Sequence, residues 1–416
     1  MQSRSRAHTD GHRGCLRPAK ETIVTKSNLA LLALAIGAFG IGTTEFSPMG
    51  LLPVIAASLH VDIPKAGMLI SAYAVGVMVG APAMTLLLSR FGKRPALMAL
   101  MAIFTLGNLL SAVAPSYSML VLARLVTSLN HGAFFGLGAV VAAQVVAKER
   151  RASAVATMFA GLTIANIGGV PAITWIGQQA GWRAAFAVTA LLGLLAIAVL
   201  RAALPDGERG VAPDVRRELA ALSHPAVLLA LATTVLGAGG MFTLYTYVVP
   251  VLTELTHASA TFIAFGLALI GVGFTLGNSL GGKLADWSLD GATKIILASL
   301  AIIMLALPLA FGTHAGAAVG LLVWGAATFA VVPPLQMRVM QAAADAPALA
   351  SSINIGAFNL GNALGAALGG GVIHFGLGYS TVPVAGGLLA AAALALACLV
   401  RKPRVPASSG FLYSSH

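Results

Sequence analysis

Residues 28–54 read NLALLALAIGAFGIGTTEFSPMGLLPV, and Glu45 is the only ionisable side chain in that stretch. A bilayer's hydrocarbon core is about 30 Å thick, which takes about 20 residues of helix at about 1.5 Å each. The stretch is long enough to cross it. Inside lipid each backbone N–H and C=O has to find a partner within its own segment, so the stretch is expected to be helical. Similar runs recur near 66–88, 95–114, 117–143, 153–177, 184–204, 225–251, 261–282, 293–312, 315–338, 350–374 and 381–400. With 58% hydrophobic and 9% charged residues and a mean hydropathy of +0.90, the chain has too little polar surface for a water-soluble globule. The expected fold class is an all-α membrane protein with twelve transmembrane helices.

Little is left for a soluble domain. Residues 1–27 are polar and basic with no apolar core of their own, which predicts a disordered cytoplasmic tail rather than a cleaved signal peptide. The remaining divisions are an N-terminal six-helix half (28–204), a charged linker (205–224), a C-terminal six-helix half (225–401) and a short tail (402–416). Cys15 and Cys398 offer neither metal spacing nor a disulfide framework, so no metal and no cofactor is expected.

The net charge of +12 could suggest nucleic acid, but its placement argues for topology. Lys and Arg crowd the N-terminal tail, the connections after spans 2, 4, 6, 8 and 10, and the C-terminal tail, whereas only Lys65 and Arg183 fall on the opposite side. Twenty-two against two is the bias of cytoplasmic loops, so both termini are expected in the cytoplasm of a multi-pass inner-membrane protein. The basic charge then meets anionic lipid and no nucleic acid.

The two halves echo each other. Ser89-Arg90-Phe91-Gly92-Lys93-Arg94 stands after span 2, and Lys283-Leu284-Ala285-Asp286 stands after span 8. Spans 5 and 11 both begin at Ala-Ser, end near a Gly-aromatic pair, and are dense in Gly and Asn. Repeated halves with inverted repeats and interrupted, small-residue-rich helices place a site between them at the membrane midplane.

At these residues the chain resembles the major facilitator superfamily, most nearly its drug/proton antiporter branch and the arabinose-efflux-permease-like group. Arg90, Gly92, Lys93 and Arg94 match that superfamily's signature loop. Thr85 stands where its first Gly is usual and Ser89 where its Asp is usual. The resemblance therefore leaves Asp286 as the acidic residue of the charge relay. Gly161, Gly168, Gly169, Pro171 and Gly177 in span 5 are similar to the branch's antiporter motif, although Val170 splits its Gly-Pro. Glycines there admit a neighbouring backbone and Pro171 bends the helix. The resemblance implies a monomer that moves a small-molecule substrate against protons.

Charged groups deep in a membrane helix cost about 2.5–3.5 kcal/mol on insertion scales and so tend to face a cavity or a partner. Glu45 in span 1 and Arg124 in span 4 fall at similar depths toward the outer side, which predicts an ion pair or a coupling through a cavity. Arg124 keeps its charge at any physiological pH, whereas Glu45 can carry a proton. His131 lies two turns after Arg124 on the same face, with Ser128 and Phe135 on that stripe. Glu45, Arg124 and His131 are the candidates for proton coupling. Tyr73, Ser128, Phe135, Asn166, Tyr245, Tyr247, Trp324, Gln336, Asn354 and Asn359 are the candidates for the substrate cavity, each a polar or aromatic group in an apolar helix. Proton-coupled efflux of a small organic solute (a drug, sugar or nucleoside) by alternating access is the leading reading. A facilitator or importer of a sugar-like solute stays open. A membrane sensor or enzyme is a remote third reading, because no nucleophile elbow, zinc motif or phosphate loop is present.

Overall fold

The computed structural model describes residues 17–61, 63–205 and 222–399, with Arg216 and Ala220 between them. Among these residues there is no strand, and the chain runs as a succession of long helices. The first half contains α1 (Arg17–Leu59), α2 (Ile63–Leu88), α3 (Lys93–Ala112), α4 (Tyr117–Gln144), α5 (Arg151–Ile164), α6 (Val170–Ala180) and α7 (Trp182–Ala203). The second half contains α8 (Pro225–Tyr245), α9 (Val248–Thr256), α10 (Ala260–Trp287), α11 (Leu289–Ala310), α12 (His314–Ala330), α13 (Val332–Ala342), α14 (Pro347–His374) and α15 (Thr381–Leu399).

Three of the expected spans are broken, each at a proline that removes a helical N–H. Pro171 leaves the Ile167 carbonyl without its donor, and residues Ala165–Gly169 widen into a π-turn between α5 and α6 in which the Val170 N–H bonds Ala165 O. Pro250 frees the Thr246 carbonyl, and α8 ends as α9 begins. Pro333 and Pro334 free the carbonyls of Phe329 and Ala330 where α12 passes into α13. Span 11, expected to be interrupted like span 5, is instead the continuous helix α14, because no proline falls after Pro347 at its start. Gly181, at φ +86°, takes a positive-φ backbone that glycine adopts freely, and it separates α6 from α7.

Among the described residues, eleven helical stretches are long and apolar enough to cross a membrane. The twelfth expected span, α14, is not among them, since Ser351, Ser352, Asn354, Asn359 and Asn362 dilute its apolar content. It is a helix of 28 residues all the same, and it packs against α8, α2 and α4. Helix α1 begins at Arg17, within the stretch read as the N-terminal tail. Pro18 sits where a first-turn N–H has no partner to lose, and Ala19, Lys20 and Glu21 are good helix formers. Residues 1–16, most of the linker 205–224 and the tail 402–416 lie outside the described residues.

The perimeter carries large apolar side chains in the open, among them Met68, Val79, Leu122, Leu191, Leu309 and Phe375. Such a surface suits lipid and would be a liability in water. Inside, small residues bring backbones together. A Cβ on Gly273, Gly277 or Gly281 of α10 would run into carbonyls of α12, and one on Gly361, Gly365 or Gly369 of α14 would run into α8.

The halves meet along two seams. In the first, α10 lies on α5, with Asn278 Nδ2 donating to Ala156 O at 2.6 Å and Thr275 Oγ1 donating to Thr163 Oγ1 at 3.2 Å. In the second, α14 lies on α2 and α4, where the Thr85 and Ser352 hydroxyls share a hydrogen bond of 2.6 Å and Gly136 makes room for Ser352.

Candidate functional site

Between the halves, from about mid-bundle, lies a cavity. Its wall draws on α1, α4 and α5 of the first half and on α8, α10, α12, α13 and α14 of the second. Two ring pairs face it. Phe135 of α4 stacks on Phe159 of α5 at 5.0 Å and 10°, and Phe274 of α10 stacks on Phe329 of α12 at 4.1 Å and 28°. Against this apolar lining stand a few polar groups: Glu45, His131, Tyr245, Thr328, Asn359 and Asn362. Among the described residues Glu45 is the only carboxylate on the wall, and no cationic Lys or Arg lines it.

The three proton-coupling candidates gather at one side of the cavity, but not as a simple pair. Glu45 Oε2 lies 4.0 Å from His131 Nδ1 and remains 20% exposed, while the His131 ring is nearly closed off. His131 Nδ1 also shares a hydrogen bond of 3.1 Å with the Tyr73 hydroxyl. Arg124 is 1% exposed and stands behind Tyr73, its guanidinium 4.2 Å from the ring centroid. A desolvated cation over an aromatic face is stabilised by about 2 kcal/mol. Arg124 Nη1 donates to Thr44 Oγ1 at 3.3 Å, and Nε and Nη2 have no hydrogen-bond partner among the described residues. The expected coupling between Glu45 and Arg124 is therefore not a direct ion pair. Thr44, one residue before Glu45, takes the guanidinium, and Tyr73 and His131 stand between the two charges.

Thr44 and Asn108 were missed by sequence reasoning. The Thr44 hydroxyl donates to Asn108 Oδ1 at 2.7 Å, while Asn108 Nδ2 is committed to Phe104 O at 2.9 Å. That commitment fixes which end of the amide faces Thr44, so the hydroxyl keeps a lone pair for Arg124. A buried Asn in the apolar α3 was the available signal.

Of the ten substrate-cavity candidates, Phe135, Tyr245 and Asn359 line the cavity. The others serve its frame. Tyr73 holds His131 from behind. Ser128 caps Leu125 O and fills the space beside Gly76 between α4 and α2. Asn166 donates to Leu162 O in the π-turn. Tyr247, at the break between α8 and α9, donates to Ala366 O at 2.9 Å and packs on Gly369 and Gly370. Trp324 is fully buried behind Tyr245, with the rings 6.3 Å apart. Gln336 and Asn354 bond each other at 2.6 Å, and Gln336 also donates to Ser351, forming a buried polar knot between α13 and α14. A polar side chain in a membrane helix needs a partner, and a neighbouring helix supplies one as well as a cavity does.

The motif residues divide in the same way. Gly161, Gly169 and Gly177 bring span 5 against α1, where a Cβ would meet Ala35, Thr43 or Leu51, while Gly168 has open space and Pro171 starts α6. Ser89 donates to Leu86 O, Arg90 lies over the Phe91 ring, Gly92 precedes α3, and Lys93 donates to Gln144. Arg94 is the second residue of α3. Asp286 reaches across to the other half, accepting from the backbone N–H groups of Ala152 at 2.7 Å and Ser153 at 3.0 Å. Among the described residues no group of three His, Cys, Asp or Glu stands close enough to hold a metal ion.

A helical bundle in two linked halves around one central cavity is a fold with known counterparts. Residues 34–350 match the sequence model of the Major Facilitator Superfamily. The chain belongs to that superfamily. It is 66% identical over 371 residues to the inner membrane transport protein YdhP of Escherichia coli K12, covering 89% of this chain and 95% of that one. It is 32% identical to the chloramphenicol resistance protein of Streptomyces lividans, covering 89% and 95% respectively. Among solved structures, the proton:xylose symporter XylE superposes with a TM-score of 0.71 at 16% identity, covering 89% of this chain and 95% of that one. At that identity the likeness speaks for the fold alone. The chain is a membrane transporter and not an enzyme.

Proposed function

We propose that the chain is a proton-coupled exporter of small organic solutes, working by alternating access in the inner membrane with both termini in the cytoplasm. The observation that carries this reading is Glu45. Among the described residues it is the single carboxylate on the wall of a cavity shared by both halves, 4.0 Å from His131. Glu45 is the proton carrier in this account, and His131, Tyr73 and Arg124 form the chain of groups that responds when it gains or loses its proton. A mostly apolar, ring-lined space with a few polar groups suits an apolar small-molecule cargo. The chloramphenicol resistance relative and the glycine-rich span 5 support placement in the drug/proton antiporter branch. In the cycle the halves 28–204 and 225–401 rock about the cavity, as a monomer in the bilayer.

The test is substrate-triggered dissipation of ΔpH in inside-out vesicles, wild type against Glu45→Gln, over a panel of drugs, sugars and nucleosides. Dissipation in wild type that disappears in Glu45→Gln is the expected result. Uphill export by Glu45→Gln at the wild-type rate would remove Glu45 from the coupling. Transport that ignores ΔpH in both proteins would replace the exporter with a facilitator.

A further inference from the structure

A threonine in a membrane helix usually returns its hydroxyl to the carbonyl four residues earlier. This bundle follows that habit closely: Thr43, Thr85, Thr105, Thr127, Thr189 and Thr233 all bond the i−4 carbonyl at 2.7–2.8 Å. Thr328 of α12 does not. It lines the cavity, is 2% exposed, and its Oγ1 makes no hydrogen bond among the described residues. One turn earlier on the same face, the indole N–H of Trp324 is fully buried and likewise without a hydrogen-bond partner. Tyr245, which lines the cavity, lies against the Trp324 ring. Burying a polar group unpaired costs as much as losing a hydrogen bond. Of these two groups Thr328 is the one on the cavity wall, so its hydroxyl is a place where something from the cavity completes the pairing.

We propose that Thr328 and Tyr245, with Trp324 packed behind them, form a subsite for the carbonyl oxygen of an uncharged aromatic amide or ketone, an inference that rests on the cavity being the transport site. The donors decide the partner. The Thr328 and Tyr245 hydroxyls can each donate, so together they suit an acceptor. The surroundings decide the body that carries it. Tyr245 continues into Phe274 at 5.7 Å, and Phe274 into Phe329, which makes a wall of aromatic faces and edges. Among the described residues no Lys or Arg lines the cavity to balance an anionic cargo, and the one carboxylate there, Glu45, belongs to the other half beside His131. A saccharide would bring more hydroxyls than this wall can pair.

A matched pair of probes tests the subsite: benzanilide, two rings joined by an amide, and trans-stilbene, the same rings joined by a double bond. Equilibrium dialysis of labelled probes against the full chain in lipid nanodiscs, corrected with empty nanodiscs, measures binding. Wild type should hold benzanilide about tenfold more tightly than stilbene, the size of one hydrogen bond. Thr328→Val should remove that preference while leaving stilbene binding unchanged, and Thr328→Ser should restore it. The melting temperature of ligand-free Thr328→Val should stay level or rise, because an unpaired hydroxyl has been removed; a merely structural Thr328 would lower it and leave the preference intact. Equal affinities in wild type, a preference that survives Thr328→Val, or no binding of either probe would each overturn the proposal. The assay needs no proton gradient. A Thr328-dependent preference without ΔpH dissipation would sink the exporter and keep the subsite, and the reverse pattern would do the opposite.

Discussion

The connection after α2 and the connection after α10 occupy matching places in the two halves, yet they are built from different charges. After α2, Ser89 caps Leu86 O, Arg90 rests on Phe91 and Lys93 takes the neutral amide of Gln144, so these three side chains tie the loop to its own half. After α10 there are two aspartates. Asp290 holds Lys294 at 2.7 Å and Arg338 at 3.5 Å, and Arg338 in turn donates to Ala397 O at 3.0 Å. Asp286 leaves its own half and caps the start of α5, where backbone N–H groups and the helix dipole favour a negative charge. One connection therefore stitches a half together, while the other also latches the two halves at the basic end. An acidic group is what makes the difference, since only an acceptor can satisfy the exposed donors of a helix start.

Asp286→Ala should break this asymmetry with the largest effect. Losing a cap costs about 0.5–2 kcal/mol, enough to shift a closed-to-open balance at the basic end by about tenfold. Spin labels at the exposed positions 148 and 283, in a background lacking Cys15 and Cys398, would report a longer distance gaining population. An unchanged distance distribution would mean that the cap does not hold the halves. Asp290→Asn is expected to act within its half, costing about 1 kcal/mol and lowering the melting temperature by a few degrees while leaving the label distance alone. A change in distance would show that the in-half network also controls closure. Lys93→Met should be the mildest, within a few tenths of a kcal/mol, because its partner is neutral and the side chain is exposed. A loss as large as that of Asp290→Asn would make the two loops equivalent and dissolve the contrast.

Much of the fold was legible because hydropathy and helical pairing are local. Spans 1 to 10 and 12 are visible as apolar runs, while α14 is carried by its fit to α8, α2 and α4 more than by its own hydropathy. The breaks near Tyr247 and Val331 had signals in Pro250 and in Pro333 and Pro334, which the span reading passed over. In the candidate site, Glu45 and His131 stood out because ionisable groups are rare in such helices, and both reach the cavity. Polarity alone could not separate cavity groups from packing groups: Asn359 lines the space, whereas Asn354 and Gln336 satisfy each other behind it. Thr328 carried no signal, since nothing in a sequence distinguishes a threonine that bonds its own helix from one that does not.

By itself, then, the sequence determined that this chain is a bundle of membrane-crossing helices, with basic connections gathered at one end and rare ionisable groups inside. Each of those properties follows from a segment's own composition, because a helix in lipid satisfies its backbone without help from elsewhere. Only the tertiary structure decided the partners: Arg124 with Thr44 across 80 residues, Tyr247 with Ala366 across 119, and Asp286 with Ala152 across 134. A side-chain hydrogen bond reaches about 3 Å, so it exists or fails with the placement of helices that only packing settles.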